Sequence, residues 1–116
     1  MPIAQITVAP RLAETLSVDI DRTTAELKAA LVEGLSTDPR LVQVMITVAL
    51  NTPAGCETLC LVHHRASEAR TAEIREATAR RLRDILQERT GGTVRVRLIA
   101  VEPSLIASSD SPEALS

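Results

Sequence analysis

The segment RTTAELK (residues 22–28) returns, one threonine shorter, as RTAEIR (residues 70–75). Each copy opens a stretch whose apolar residues recur at helical spacing. In the first, Thr23 or Thr24 caps the helix, Glu26 sits in the first turn where the dipole favours an acid, and Leu27, Leu31 and Leu35 form one stripe. Gly34 and the turn Ser36-Thr37-Asp38-Pro39 stop it. The second helix is predicted over residues 71–89, with Ile74, Ala77, Leu82, Ile85 and Leu86 as its stripe. Arg75, Glu76, Arg80, Arg83 and Asp84 form its wet side, and Gly91 and Gly92 end it.

On either side of both helices the period switches to two. Strands are predicted over residues 1–8, 41–50, 58–64 and 93–101, and the turn cluster Asn51-Thr52-Pro53-Ala54-Gly55 divides the chain near its middle. Residues 9–21, with Pro10 near their start, read as a long polar, irregular loop. The order strand, helix, strand therefore occurs twice, as two βαβ units. An α/β fold follows: a four-stranded mixed sheet with two helices on one face. One domain covers residues 1–108, with repeat one at 2–50, repeat two at 56–106 and a flexible Ser-rich tail at 109–116. The uncovered face, carrying Ile3, Met45, Ile99 and Val101, suits a subunit interface.

Of the 116 residues, 45% are apolar and none is aromatic, so the core is aliphatic and no ring is present to stack a base. With a net charge of -2 as well, the chain has neither the platforms nor the basic surface of a nucleic-acid binder. No apolar run reaches the roughly 18 to 20 residues of a membrane span, and no basic-then-apolar leader opens the chain. A cytoplasmic protein is expected. Cys56 and Cys60 are too few for a disulfide scaffold or a structural zinc site and read as free thiols; no metal or cofactor is implied. His63 and His64, adjacent on a strand, point to opposite faces and cannot share a metal; both read as structural or surface residues.

The chemistry points to the first strand, MPIAQITV (residues 1–8), where Pro2, Ala4, Ile6 and Val8 face one way. Removal of Met1 would leave Pro2 as a secondary amine at the end of a rigid element. Such a base is intrinsically stronger than an ordinary α-amino group, which titrates near pH 7.7 to 8.0, and desolvation or nearby guanidinium groups pull it towards neutrality. Arg70 precedes a helix N-terminus, where a cation costs about 0.3 to 1 kcal/mol, a hint of another use. Arg22 sits equivalently in the first repeat. Arg95 and Arg97 share a strand face, one binding an anion and the other pairing with a carboxylate, while Glu102 at the end of that strand reads as a helix or turn cap, or else as a group that orients substrate or activates water.

Pro2, Ile3, Ala4, Gln5 and Ile6 resemble the start of 4-oxalocrotonate tautomerase, and residues 61–101 resemble its body: an arginine, a hydroxyl residue and an acid at the helix start (Arg70, Thr71, Glu73), then Val94-Arg95-Val96. Glu102-Pro103-Ser104-Leu105 and the single N-terminal proline on two fused units resemble the trimeric branch with 5-carboxymethyl-2-hydroxymuconate isomerase and macrophage migration inhibitory factor. The resemblance to this tautomerase superfamily implies a homotrimer and a cofactor-independent tautomerase or isomerase. It would move a proton within a small anionic 2-keto or 2-hydroxydienoate substrate. Pro2 is then the catalytic base and acid, with Arg70, Arg95, Arg97 and Gln43 as substrate-binding residues. Gln43 replaces the strand arginine of the first repeat, which weakens the case for a dicarboxylate. Two alternatives share the scaffold: a hydratase, dehalogenase or decarboxylase using a cationic proline, and a non-catalytic trimeric binding or signalling module.

Overall fold

The computed structural model describes residues 2–115; Met1 and Ser116, and with them the processing of Met1 and the very end of the expected tail, lie outside the described residues. Four strands form one sheet: β1 (Ile3–Val8), β2 (Gln43–Val48), β3 (Thr58–Arg65) and β4 (Val94–Val101), in the spatial order β2-β1-β3-β4. β1 pairs in parallel with β2 and β3 in parallel with β4, whereas β1 and β3 run antiparallel at the centre. Each half of the chain thus forms its own parallel pair, and the two halves meet at one seam.

Three helices cover one face: α1 (Ala13–Ser17), α2 (Ile20–Leu35) and α3 (Ala72–Thr90). Residues 9–21 are therefore not the irregular loop expected. A 3₁₀ turn (Pro10–Leu12) leads into α1, because Leu12, Leu16 and Ile20 recur every four residues and end seven residues ahead of the stripe Leu27, Leu31 and Leu35, on the same helical face. Leu12 and Leu16 are buried. Nor does α2 start at a threonine cap: Asp19 stands at the cap position without a side-chain bond, and Thr23 is buried inside the helix.

β2 is shorter than expected because Pro39–Leu41 forms a 3₁₀ turn, anchored by the Arg40 N–H donating to Asp38 Oδ1 at 2.9 Å. The buried stripe of α3 keeps Leu82 and Leu86 of the predicted row, with Ile85 packed at its edge, but replaces Ile74 and Ala77, which lie exposed near the helix start, with Thr78 and Thr90. Threonine is tolerated in that row because its hydroxyl bonds within the helix: Thr78 Oγ1 to the Ile74 carbonyl at 2.9 Å and Thr90 Oγ1 to that of Leu86 at 2.8 Å. Ala4, Ile6, Val8, Cys60 and Val62 face the helices and complete an all-aliphatic core. Towards the chain end, Pro112–Leu115 forms another short 3₁₀ turn.

On the other face Met45 is 48% and Ile99 40% exposed, and Gln5, Thr7, Met45, Leu59 and Leu61 border a shallow concavity. α2 approaches α3 at Gly34, where an added Cβ would collide with the Thr78 side chain, 3.1 Å from its Cβ. Gly34→Ala gains about 1 kcal/mol of helix propensity but overpacks this crossing at a cost of about 1 to 3 kcal/mol. A net loss of stability is therefore expected in urea unfolding.

Candidate active site

Pro2 is buried directly ahead of β1, and its carbonyl accepts a hydrogen bond from the Gln43 N–H at 3.0 Å. It shares the helix-side face with Ala4, Ile6 and Val8. At the same end of the sheet β3 finishes, the chain turns through residues 66–71, and α3 begins. Thr71 Oγ1 caps that helix by accepting from the Ile74 N–H at 3.2 Å, and Glu73 occupies the first turn.

Arg70 bridges two element ends here. Its Nη1 donates to the Arg65 carbonyl at 2.8 Å and its Nε to the Leu35 carbonyl at 3.2 Å. Leu35 is the last residue of α2, so the cation meets one of that helix's unpaired carbonyls and the negative end of its dipole. The penalty expected from the start of α3 is thus offset by a favourable contact with the end of α2. Arg70, Leu35, Ser36, Arg65, Ser67 and Ile74 line a cavity of about 340 Å³. Ser36 holds a left-handed φ of 51°, a strained choice at its rim where glycine would rest easily. The guanidinium fork has five N–H donors and two serve the backbone, which leaves capacity for an anion.

The other sequence candidates lie elsewhere within the chain. Arg97 pairs with Leu61 and Arg95 with Leu59, which face Gln5 and Thr7 in β1. Arg97 is therefore about 14 Å from Pro2 along and across the strands, and Arg95 farther still. Both border a second concavity, of about 370 Å³, with Arg80, Arg83 and Gly55. Gln43 contacts Pro2 through its backbone alone; its side chain shares the open face with Ile3, away from the Pro2 ring. Arg22 is not a loop residue equivalent to Arg70, because α2 starts at Ile20 and places it in an exposed i,i+4 pair with Glu26 at 3.3 Å. Glu102 precedes the 3₁₀ turn Pro103–Leu105 but makes no capping bond with its side chain.

Both cysteines are free and buried, and burial pushes the Cys60 thiol up to about 12, far from the thiolate that redox chemistry requires. Among the described residues, no three His, Cys, Asp or Glu side chains are grouped to hold a metal ion. Nor, among these residues, is any helix long and apolar enough to cross a membrane.

His64 is the residue that sequence reasoning undervalued. It is 1% exposed, with Nδ1 3.0 Å from the Arg65 carbonyl and Nε2 buried without a partner among the described residues. Alternation shows that one of two adjacent histidines must face the core; it does not show what lies opposite.

No protein-family model matches the sequence and no curated protein matches it. Solved structures do. A protein called Pt0534, inactivated by 2-oxo-3-pentynoate, is 23% identical with a TM-score of 0.73, covering 98% of this chain and 99% of its own. Native fused 4-OT is 15% identical with a TM-score of 0.72, covering 97% and 98%. A macrophage migration inhibitory factor-like protein from Entamoeba histolytica is 13% identical with a TM-score of 0.71, covering 95% and 96%. The chain has the tautomerase-superfamily fold. In that fold, the Pro2 end of the sheet, the end of β3 and the Arg70 loop come together within one chain.

Burial, with the Arg70 and Arg75 cations adding to it, holds the His64 pKa below its usual 6.5. The unfolded chain then binds more protons between the two values, so stability is complete above about pH 6.5 and declines as pH falls below it. Unfolding free energies measured from pH 7.5 to 5 show this decline, and His64→Gln flattens it.

Proposed function

We propose that this protein is a cofactor-independent tautomerase or isomerase acting on small anionic 2-keto or 2-hydroxydienoate compounds. The observation that carries the reading is Arg70, anchored to two backbone carbonyls in a cavity where β3 ends, at the end of the sheet where β1 starts, although Pro2 itself does not line that cavity. With Met1 removed, the Pro2 nitrogen is a secondary amine in a buried setting at the same end of the sheet as the fixed Arg70 cation; burial and positive charge both disfavour its protonated form. It takes a proton from the carbon α to a carbonyl; the C–H electron pair moves into the enolate, and the proton returns at a different atom. Arg70 holds the carboxylate and stabilises the oxyanion as it forms. The step is redox-neutral and consumes no co-reactant.

Arg95 and Arg97 complete this site only from another copy, given their distance from Pro2 within the chain. We read the protein as a cytoplasmic homotrimer with the open sheet face, where apolar side chains lie among polar ones, at its centre. Support comes from the exposed Met45 and Ile99 on that face and from similar structures described as fused 4-OT trimers.

Intact-mass measurement first establishes that Met1 is absent. Pro2→Ala then lowers kcat on a panel of small 2-keto acids by about 100-fold or more, within the usual range for losing a general base. Unchanged turnover would reject the assignment. Light scattering gives a mass three times that of the chain, and Ile99→Asp lowers it by placing a charge in the buried centre; a wild-type monomer would refute the trimer.

A further inference from the structure

We propose that His64 is a positioning residue for the N-terminal amine, its Nε2 accepting the hydrogen bond that orients the Pro2 nitrogen. The proposal rests on the reading of Pro2 as the mature N-terminus and adds to it a group absent from the mechanism above.

The first observation is placement. Ile3 pairs with His63 in the antiparallel ladder, so the next step outwards sets Pro2 opposite His64. The ladder bond from the Ala9 N–H to the Glu57 carbonyl marks odd-numbered β1 residues as hydrogen-bonded to β3, and the Pro2 carbonyl turns the other way to Gln43. Pro2 and His64 thus occupy a non-hydrogen-bonded position, where Cα atoms stand about 4.5 Å apart and side chains come closest. Both are buried on the helix side.

The second observation is the unpaired nitrogen. The Arg65 carbonyl can only accept, so His64 Nδ1 carries the hydrogen and Nε2 presents a bare lone pair. Buried acceptors are nearly always satisfied, and an aliphatic residue here would leave nothing to satisfy. Arg70 and Arg75 face the imidazole with positive charge, which together with burial keeps it neutral and able to accept.

Pro2 inside a longer chain has no N–H to offer. Removal of Met1 creates one on the neutral amine and two on the cation. With one N–H directed at His64, the lone pair of the neutral amine points away from the imidazole and remains available to the substrate. The protonated amine binds the same acceptor more strongly, so His64 counterweights the arginines and keeps the base from becoming too weak.

The test compares the processed protein with a chain carrying one extra residue ahead of Pro2, both labelled with ¹⁵N at histidine. The His64 Nε2 signal moves upfield in the processed chain alone; identical signals overturn the proposal without any substitution that could disturb folding. With ¹⁵N-labelled Pro2, His64→Leu lowers the amine pKa by about half to one unit and kcat about tenfold with little change in KM, and His64→Gln, which keeps an acceptor, restores both. An unchanged amine pKa in His64→Leu also overturns it. Failure of the base reading is seen separately, as turnover that survives Pro2→Ala, because the nitrogen signals report the hydrogen bond whether or not the protein turns over substrate.

Discussion

The antiparallel seam between β1 and β3 is the constraint from which the rest of the structure follows. A parallel two-stranded unit with a crossover helix has one apolar sheet face too small to stand alone. Pairing Ile3–Val8 with residues 58–63 joins two such units into one four-stranded sheet and puts Ala4, Ile6, Val8, Cys60 and Val62 under all the helices. Because the pairing is antiparallel, the start of the chain and the end of β3 fall at the same edge. Pro2, the proposed base, is thereby delivered to the same edge as the loop that carries Arg70.

That edge is also where backbone groups run out of partners. The C-terminus of α2 leaves carbonyls unpaired, β3 ends at Arg65, and α3 has yet to start. Arg70 satisfies two of these carbonyls at once, which makes its position a matter of stability as well as chemistry. An arginine so held is oriented before any ligand arrives and loses little entropy on binding one. The ion pairs Arg11 with Glu57 and Arg40 with Asp38, by contrast, lie on the surface and hold only local geometry.

The two repeats differ in the segment between strand and helix. In the first half the chain between strand and helix winds into the 3₁₀ turn and α1, buries Leu12 and Leu16, and starts α2 early. Arg22 is carried onto an exposed helix surface as a result. In the second half the corresponding segment stays short and open, so Arg70 turns inward. In the proposed site one repeat contributes Pro2 and the other Arg70 and His64.

The chain's alternations and stripes, together with the doubled RTTAELK and RTAEIR segments, were enough by themselves to determine strand, helix, strand twice over, the parallel pairing within each half and the aliphatic core. These are properties of local spacing, and side-chain period is a local quantity. The helical nature of residues 9–21 was hidden because Pro10 and the polar residues around it masked a leucine spacing that continues across the break. Tertiary structure alone decided that Arg70 meets the end of α2, that Arg95 and Arg97 lie far from their own Pro2, and that His64 stands opposite it. The Arg70 contact depends on how α2 and the second half pack, and the other two depend on the register of the β1–β3 seam, which is set by how two complete βαβ units bury their faces together and which no single segment encodes.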